Sequence, residues 1–180
     1  LAAEAPPEQL AYVVTINPAA LEGDRRSDAL VVVDVDPASS SNGQIVGRVD
    51  MPNPGDELHH FGWNACSSAL SPMSGHAFLK RRYLVMPGIR SSRIYIVDTQ
   101  PDPIRPTIAK VIEPEEVLRK TGYSRPHTVH CGPDGIYVSA LGNPEGDGPG
   151  GIFLLDHDNF SVKGEWEQDR GPCPEHRPCR

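Results

Sequence analysis

One segment of thirteen residues concentrates side chains that bind metals or take part in redox chemistry. It reads Asp56-Glu57-Leu58-His59-His60-Phe61-Gly62-Trp63-Asn64-Ala65-Cys66-Ser67-Ser68. Segments that only connect strands consist mainly of Gly, Pro, Ser and Asp. This segment instead carries carboxylates, adjacent imidazoles and a thiol, which are the groups that ligate metal ions. It therefore predicts a chemically active loop.

A second segment, Pro126-His127-Thr128-Val129-His130-Cys131, offers two further imidazoles and a thiol. We predict a metal site shared by two parts of the fold, in which His59, His60, His127 and His130 converge. Neighbours on a regular strand point to opposite faces, so His59 and His60 share an ion only in a loop. The same rule separates His127 from His130 and predicts that one of them lies in the loop before the strand. Imidazoles suit copper, zinc, iron or nickel; alternatively, two of the four only hydrogen-bond in a tightly packed channel.

The acids and cysteines beside these histidines each have two interpretations. Cys66 is either a small buried hydrophobic side chain or a reactive thiol near histidines, whereas we expect Cys131 only to fill space. Asp56 and Glu57 are expected to be solvated. Alternatively, they bind a hard cation or orient a histidine from outside the ligand set.

The other two cysteines lie at the extreme C-terminus. Cys173, His176 and Cys179 have the spacing of metal ligands, but a closed zinc site needs a fourth ligand. We expect no site there. Four cysteines in this arrangement also do not predict a disulfide framework.

Repeated apolar runs predict the fold. Three of them end in Asp34, Asp98 and Asp156, 64 and then 58 residues apart, and each precedes a turn and another strand. The last unit, residues 128–166, has four predicted strands in roughly 40 residues, the length of one propeller blade. The predicted strands are residues 11–16, 29–35, 44–49, 83–87, 93–98, 107–112, 128–130, 135–141, 151–156 and 161–166. A single short helix is predicted at residues 113–120.

The sequence therefore predicts an all-β fold, a partial β-propeller of about three blades. Propellers typically have four to eight blades, and an open stack leaves bare sheet edges. We therefore expect the chain to be a fragment of a longer protein. Its predicted organisation is a loose segment at 1–10, the partial propeller at 11–168 and an atypical, unstructured tail at 169–180.

The net charge and the hydropathy of the sequence limit which classes of partner and which compartments we expect. The net charge of −7 disfavours nucleic acid and anionic membranes. No apolar run approaches the roughly 20 residues of a transmembrane helix, and no signal segment is recognisable. We expect a soluble protein, with the periplasm and the cytoplasm both open as compartments.

The first segment resembles a motif of the selenium-binding protein family, whose characterised members include methanethiol oxidases. The resemblance runs from about residue 12 to residue 166 and stops after about residue 168; the order and spacing of its parts make it specific. The other matching parts are Val33-Asp34-Val35-Asp36-Pro37, Ser91-Ser92-Arg93-Ile94-Tyr95, Lys110-Val111-Ile112-Glu113-Pro114, His127-Thr128-Val129-His130-Cys131, Leu154-Leu155-Asp156 and Val162-Lys163-Gly164-Glu165-Trp166.

This resemblance implies a larger propeller, of which the chain would be the N-terminal part. It implies oxidation of methanethiol by O2 and water to formaldehyde, hydrogen sulfide and hydrogen peroxide. It also implies copper held by histidines, with calcium as a further ion. His59, His60, His127 and His130 match the family's histidine positions, with His59 and His60 among the catalytic residues. Cys66 matches the cysteine linked with selenium binding and is the third expected catalytic residue.

Two positions depart from the family pattern, and two other functions stay open. Ala69 stands where many relatives have a second Cys, and Phe61 replaces a commoner Ser. One alternative is a non-catalytic module that carries selenium through Cys66 or docks partner proteins. The other is a calcium-dependent propeller hydrolase, which needs converging Asp, Glu and Asn side chains, whereas histidines outnumber them here.

Overall fold

The computed structural model describes residues 7–19, 23, 25–66, 79–100 and 102–167. Within these ranges the chain forms three antiparallel sheets and one α-helix. The first sheet contains β1 (Leu10–Thr15), β2 (Ala29–Asp34) and β3 (Ile45–Asp50), in that order.

The second and third sheets have four strands each, in chain order from one edge to the other. The second contains β4 (Gly62–Trp63), β5 (Tyr83–Pro87), β6 (Ile94–Asp98) and β7 (Thr107–Ile112). The third contains β8 (Ser124–Cys131), β9 (Ile136–Gly142), β10 (Gly151–Leu155) and β11 (Val162–Glu165). This succession of small antiparallel sheets confirms the predicted all-β fold class.

The sequence repeat marked by the three aspartates corresponds to equivalent positions in the three sheets. Asp34 ends β2, Asp98 ends β6 and Asp156 follows β10, and each of these strands is the last but one in its sheet. By this alignment β1 corresponds to β5 and β9. The place that β4 and β8 occupy in the other sheets has no strand beside β1 among the residues that the structure describes.

The hydrophobic core lies between neighbouring sheets. The strands with continuous apolar runs are buried on both faces, as their sequences predict. One cluster joins the first two sheets and includes Leu30, Met51, Leu84, Met86 and Tyr95. The other joins the last two sheets and includes Val85, Ile96, Val129, Val138 and Phe153. The second sheet contributes to both clusters, so the three sheets pack as consecutive layers.

The helix α1 (Pro114–Thr121) connects β7 to β8 and confirms the predicted helix. Proline begins it, and Gly122 ends it in the left-handed conformation with φ 66°. Its Val117 is buried in the cluster between the last two sheets. In the part of the chain that the structure describes, no helix has the length and apolar character needed to cross a membrane.

Two local predictions differ from the structure. The short strand β4 begins two residues after His60 and was not predicted, since two residues carry no periodic signal. The strand β8 is longer than predicted and contains both His127 and His130, so the placement of one of them in a preceding loop is wrong. An irregularity between Pro126 and Val129 shifts the pairing of β8 with β9.

Candidate metal centre

The backbone around His59 is held by the first two sheets. The His59 N–H donates to the Pro87 carbonyl at 2.8 Å, and Leu58 forms a bridge with Gly88. The Leu58 N–H donates at 2.9 Å to Oδ2 of Asp28, the residue before β2 of the first sheet. The residues before β4 are therefore irregular but fixed in place. The Leu58 N–H ties them to the residue before β2, and the His59 N–H ties them to β5.

The other side of this segment lies against the third sheet. The Val129 N–H donates to the His60 carbonyl at 3.1 Å. A Cβ at Gly62 would lie 2.8 Å from the Val129 carbonyl oxygen, a distance that side-chain carbons do not tolerate. Glycine at this position therefore permits the close approach that brings His127 of β8 next to the His59-His60 pair.

Three imidazoles meet at this contact. Nitrogen atoms of His59, His60 and His127 all lie within 4.8 Å of one another. The ring centres are 5.0 Å apart for His59 and His60, and 4.6 Å for each of them with His127. His130 does not belong to this set. Two neighbouring blades thus supply three nitrogen donors that can face one ion.

The hydrogen bonding and the protonation of these rings favour binding of a cation. His59 Nδ1 is buried and has no hydrogen-bond partner, which costs about 1–3 kcal/mol when nothing compensates it. Burial lowers the pKa of His127, and the proximity of His59 and His60 lowers it further. His127 therefore stays neutral at lower pH than an ordinary histidine, and the neutral ring is the form that binds metals.

Thr128 orients two of the rings, a role that the sequence did not suggest. Its hydroxyl lies 2.8 Å from His127 Nδ1 and 3.4 Å from His60 Nδ1. A hydroxyl both donates and accepts, so it serves either tautomer of each ring. The only sequence signal was its position inside the second histidine segment.

The two acids before the histidines have different roles. Glu57 has a left-handed φ of 52°, bonds Arg90 through Oε2 and lies 3.9 Å from His59 Nε2 through Oε1. Asp56 points elsewhere: the Tyr95 hydroxyl donates to its Oδ2 at 2.7 Å, and Arg93 lies 3.5 Å from Oδ1. The expectation that Asp56 is solvated is wrong, because these two partners stabilise a carboxylate that is fully buried. Burial and the nearby Asp56 both raise the pKa of Tyr95.

The cysteines do not match their expected roles. Cys66 and Cys131 form a disulfide, with their Cα atoms 6.0 Å apart. The interpretation of Cys131 as simple packing is therefore wrong, and Cys66 has no free thiol in this state. The two residues are 65 positions apart in the chain, and only the contact between the second and third sheets brings them together.

An apolar pocket of about 530 Å³ adjoins two of the three histidines, His59 and His60. Val14 and Ile16 come from the edge of the first sheet where β1 has no further neighbour among the described strands. The full lining is Val14, Ile16, Leu58, His59, His60 and Phe61. Sequence reasoning noted Phe61 only as a departure from a pattern, and it missed the walls from β1.

Comparison with known proteins decides the family. The sequence model of the 56kDa selenium binding protein family matches residues 1–176. The chain belongs to this family. The match continues past residue 168, where the resemblance read from individual motifs ended.

Curated relatives carry two kinds of name. A Xenopus laevis protein named methanethiol oxidase is 46% identical, over 92% of this chain and 34% of the relative. Selenium-binding protein 2 of Arabidopsis thaliana is also 46% identical, over 91% of this chain and 32% of the relative. The chain thus spans about a third of the length of the curated relatives that it matches.

A solved relative has the same fold. The crystal structure of a hypothetical selenium-binding protein from Sulfolobus tokodaii superimposes with a TM-score of 0.87 and 60% sequence identity. The match covers 93% of this chain and 36% of the other. Selenium-binding proteins are β-propellers, so the three sheets of this family member are blades of a propeller.

Several predicted features of this selenium-binding family member lie outside the described residues. They are Ser67, Ser68 and Ala69 after the first segment, and Cys173, His176 and Cys179 in the tail. The site as described therefore consists of His59, His60 and His127, with Glu57 and Thr128 against the rings.

Proposed function

We propose that this chain carries part of a copper site that oxidises methanethiol with O2 and water to formaldehyde, hydrogen sulfide and hydrogen peroxide. The main support for this proposal is that three imidazoles lie close together beside an apolar pocket. The relatives named methanethiol oxidase support the substrate and the reaction class. The relatives are about three times as long as this chain. The proposed activity is therefore that of a protein of their full length.

The residues present fit copper. Imidazole nitrogens suit this metal, and the unpartnered, buried Nδ1 of His59 is the atom that gains most from a bound cation. Neither group of ligating side chains in the described part of the chain contains a carboxylate, the ligand that calcium prefers, so calcium has no place in this proposal. Copper, when bound, supplies the redox chemistry, because it binds thiolates and exchanges electrons with O2.

The protein side chains hold, orient and exclude water. His59, His60 and His127 hold the ion between two blades, and Glu57 faces His59 from outside the ligand set. The pocket walls Val14, Ile16 and Phe61 receive the methyl group and remove water from around the sulfur.

Anaerobic addition of methanethiol to copper-loaded protein tests this function. We expect the Cu(II) EPR signal to fall, then to recover with formation of peroxide when air is admitted. The experiment is run on this chain and on the longer Sulfolobus tokodaii relative. His127→Gln should remove copper binding from the chain, whereas His130→Gln, outside the histidine set, should not. An unchanged EPR signal and no peroxide in both proteins contradict the proposal.

The second candidate is a selenium carrier without turnover. Relatives named selenium-binding protein favour it, together with Cys66, which lies in a second group of ligating side chains. Because Cys66 is bonded to Cys131, uptake of selenium there requires the reduced protein. Selenium stoichiometry measured on reduced protein distinguishes the cases, since the carrier role predicts its loss in Cys66→Ser while copper binding is retained.

A further inference from the structure

A second group of ligating side chains lies outside the histidine set. The sulfur atoms of Cys66 and Cys131 and a ring nitrogen of His130 all lie within 4.8 Å of one another. Cys66 follows β4 and Cys131 ends β8, so this group also spans the contact between the second and third sheets. It shares no residue with His59, His60 and His127.

The hydrogen bonding of His130 prepares it as a ligand. Its Nδ1 lies 2.7 Å from the Cys131 carbonyl oxygen. A carbonyl oxygen only accepts, so Nδ1 carries the proton and Nε2 carries the lone pair. This type of bond fixes the tautomer of metal-binding histidines. His130 is exposed and Cys131 is buried, which gives the group one open side and one closed side.

We propose that Cys66, Cys131 and His130 form a second, redox-controlled site for a thiophilic d10 cation, Zn²⁺ or Cu⁺. With the disulfide intact, both sulfurs are bonded to each other and the site is closed. With the disulfide reduced, two thiolates and one imidazole are available, a soft donor set that such cations prefer. Three protein ligands leave one position open for water or an external thiol.

The redox step balances with a low-molecular-weight thiol as the reductant. Two molecules of the thiol break the Cys66–Cys131 bond, give two protein thiols and leave as one external disulfide. Binding of the cation then displaces two protons, one from each cysteine. After the cation leaves, exchange with an external low-molecular-weight disulfide restores the Cys66–Cys131 bond between the blades and releases two external thiols.

Cobalt(II) is the probe, because its thiolate complexes absorb in the near ultraviolet whereas an all-histidine site does not. The background protein is the full chain with Cys173→Ser and Cys179→Ser, so that no tail thiol contributes. One sample is kept oxidised and the other is reduced anaerobically and freed of reductant. We expect one equivalent of cobalt with the thiolate band in the reduced sample and no band in the oxidised sample.

Variants distinguish cobalt binding at the cysteine site from cobalt binding at the three histidines. Cys66→Ser should abolish the band and His130→Gln should weaken cobalt binding on the order of tenfold, while His59→Ala should leave the band unchanged. Melting curves verify that each variant is folded, and the oxidised and reduced comparison needs no variant. The proposal is overturned if the reduced background protein shows no thiolate band, or if Cys66→Ser retains it. Alkylation of Cys66 and Cys131 without any reductant would overturn the redox control.

Discussion

At the scale of single residues, Asp28 connects the first sheet to the histidine segment. Its side chain is buried, and each carboxylate oxygen accepts one backbone N–H: Oδ1 from Asn17 at 2.8 Å and Oδ2 from Leu58 at 2.9 Å. Leu58 precedes His59, so this single carboxylate sets the position of the first proposed ligand relative to the strand β1 that lines the pocket.

Asp28→Asn should therefore lower both stability and metal affinity. An amide has one accepting oxygen, so one of the two N–H groups loses its partner, at a cost of about 1–3 kcal/mol. Denaturant unfolding and competition for copper against a chelator measure the two effects. Asp50→Asn is the matched control, since Asp50 is exposed and pairs with Arg48, itself an exposed side chain. Equal stability of the two variants would contradict the role of Asp28.

His127 should make the stability of the metal-free protein depend on pH. Its folded pKa is below the ordinary value of 6.5, so the unfolded chain takes up the proton first as the pH falls. The stability is complete above about pH 6.5 and declines as the pH drops towards the folded pKa. Unfolding free energies between about pH 7 and about pH 5 should fall less steeply in His127→Gln than in wild type. His130→Gln, at an exposed ring, serves as the reference, and equal slopes in all three proteins would sink this prediction.

At the scale of elements, the contact between β4 and β8 assembles the site. Gly62→Ala would push a methyl group against the Val129 carbonyl, at a cost of about 1–3 kcal/mol for overpacking. We expect copper affinity to fall with it, because the ligands come from both sides of this contact. Hydrogen exchange is the local measurement: the Val129 N–H, which donates to His60, should exchange faster, while amides of β10 keep their rates. Unchanged exchange at Val129 would show that the contact tolerates the methyl group.

The aspartates that end the repeated strands form the turns of the blades. Hydroxyl groups of Ser39 and Ser41 bond Asp34 and lower its pKa. Arg82 bonds Asp98 and lowers its pKa in the same way. A lowered carboxyl pKa means that the stabilisation is complete above the unfolded value and is lost as the pH falls through the folded value.

Asp98→Asn should accordingly reduce the acid sensitivity of the fold. Between about pH 5 and about pH 3, the free energy of unfolding of wild type should fall more than that of the variant, which has already lost the charged pair with Arg82. Asp158→Asn, at an exposed side chain, is the comparison and should keep the wild-type slope. Parallel curves for wild type and Asp98→Asn would rule out this pair as a source of acid sensitivity.

At the scale of the whole molecule, the pocket beside the histidines lies at a sheet edge that no described strand covers. The position beside β1 is empty of strands in the described part of the chain, and Ile16 is 50% exposed next to the pocket. The relatives are about three times as long as this chain. A set of imidazoles holds an ion more firmly where further protein encloses it, which the greater length of the relatives allows.

We therefore expect the Sulfolobus tokodaii protein to bind copper on the order of tenfold more tightly than this chain. Competition titrations of both proteins against the same chelator measure the ratio. Copper-loaded samples of both should show nitrogen hyperfine structure in EPR if the proposed imidazole ligands are shared by the two proteins. Equal affinities would mean that these two blades alone complete the copper site.

The sequence by itself determined the local structure and the chemical inventory. The apolar runs that end in Asp34, Asp98 and Asp156 predicted three repeated units, because burial on both faces of a strand leaves a continuous apolar run. The helix from Pro114 to Thr121 was likewise predicted from its proline and charges. The residue types at 59, 60, 127 and 130 predicted a nitrogen-ligand site, of which His59, His60 and His127 meet and His130 does not.

Only the tertiary structure decided which of these side chains meet. Within β8, His127 lies with His59 and His60, whereas His130 lies with the cysteines. Cys66 and Cys131 join across 65 residues, and Asp28 reaches Leu58 across 30. Local periodicity reports which face of a strand is buried. It does not report which strand of another blade that face contacts, because the contact depends on how whole sheets pack.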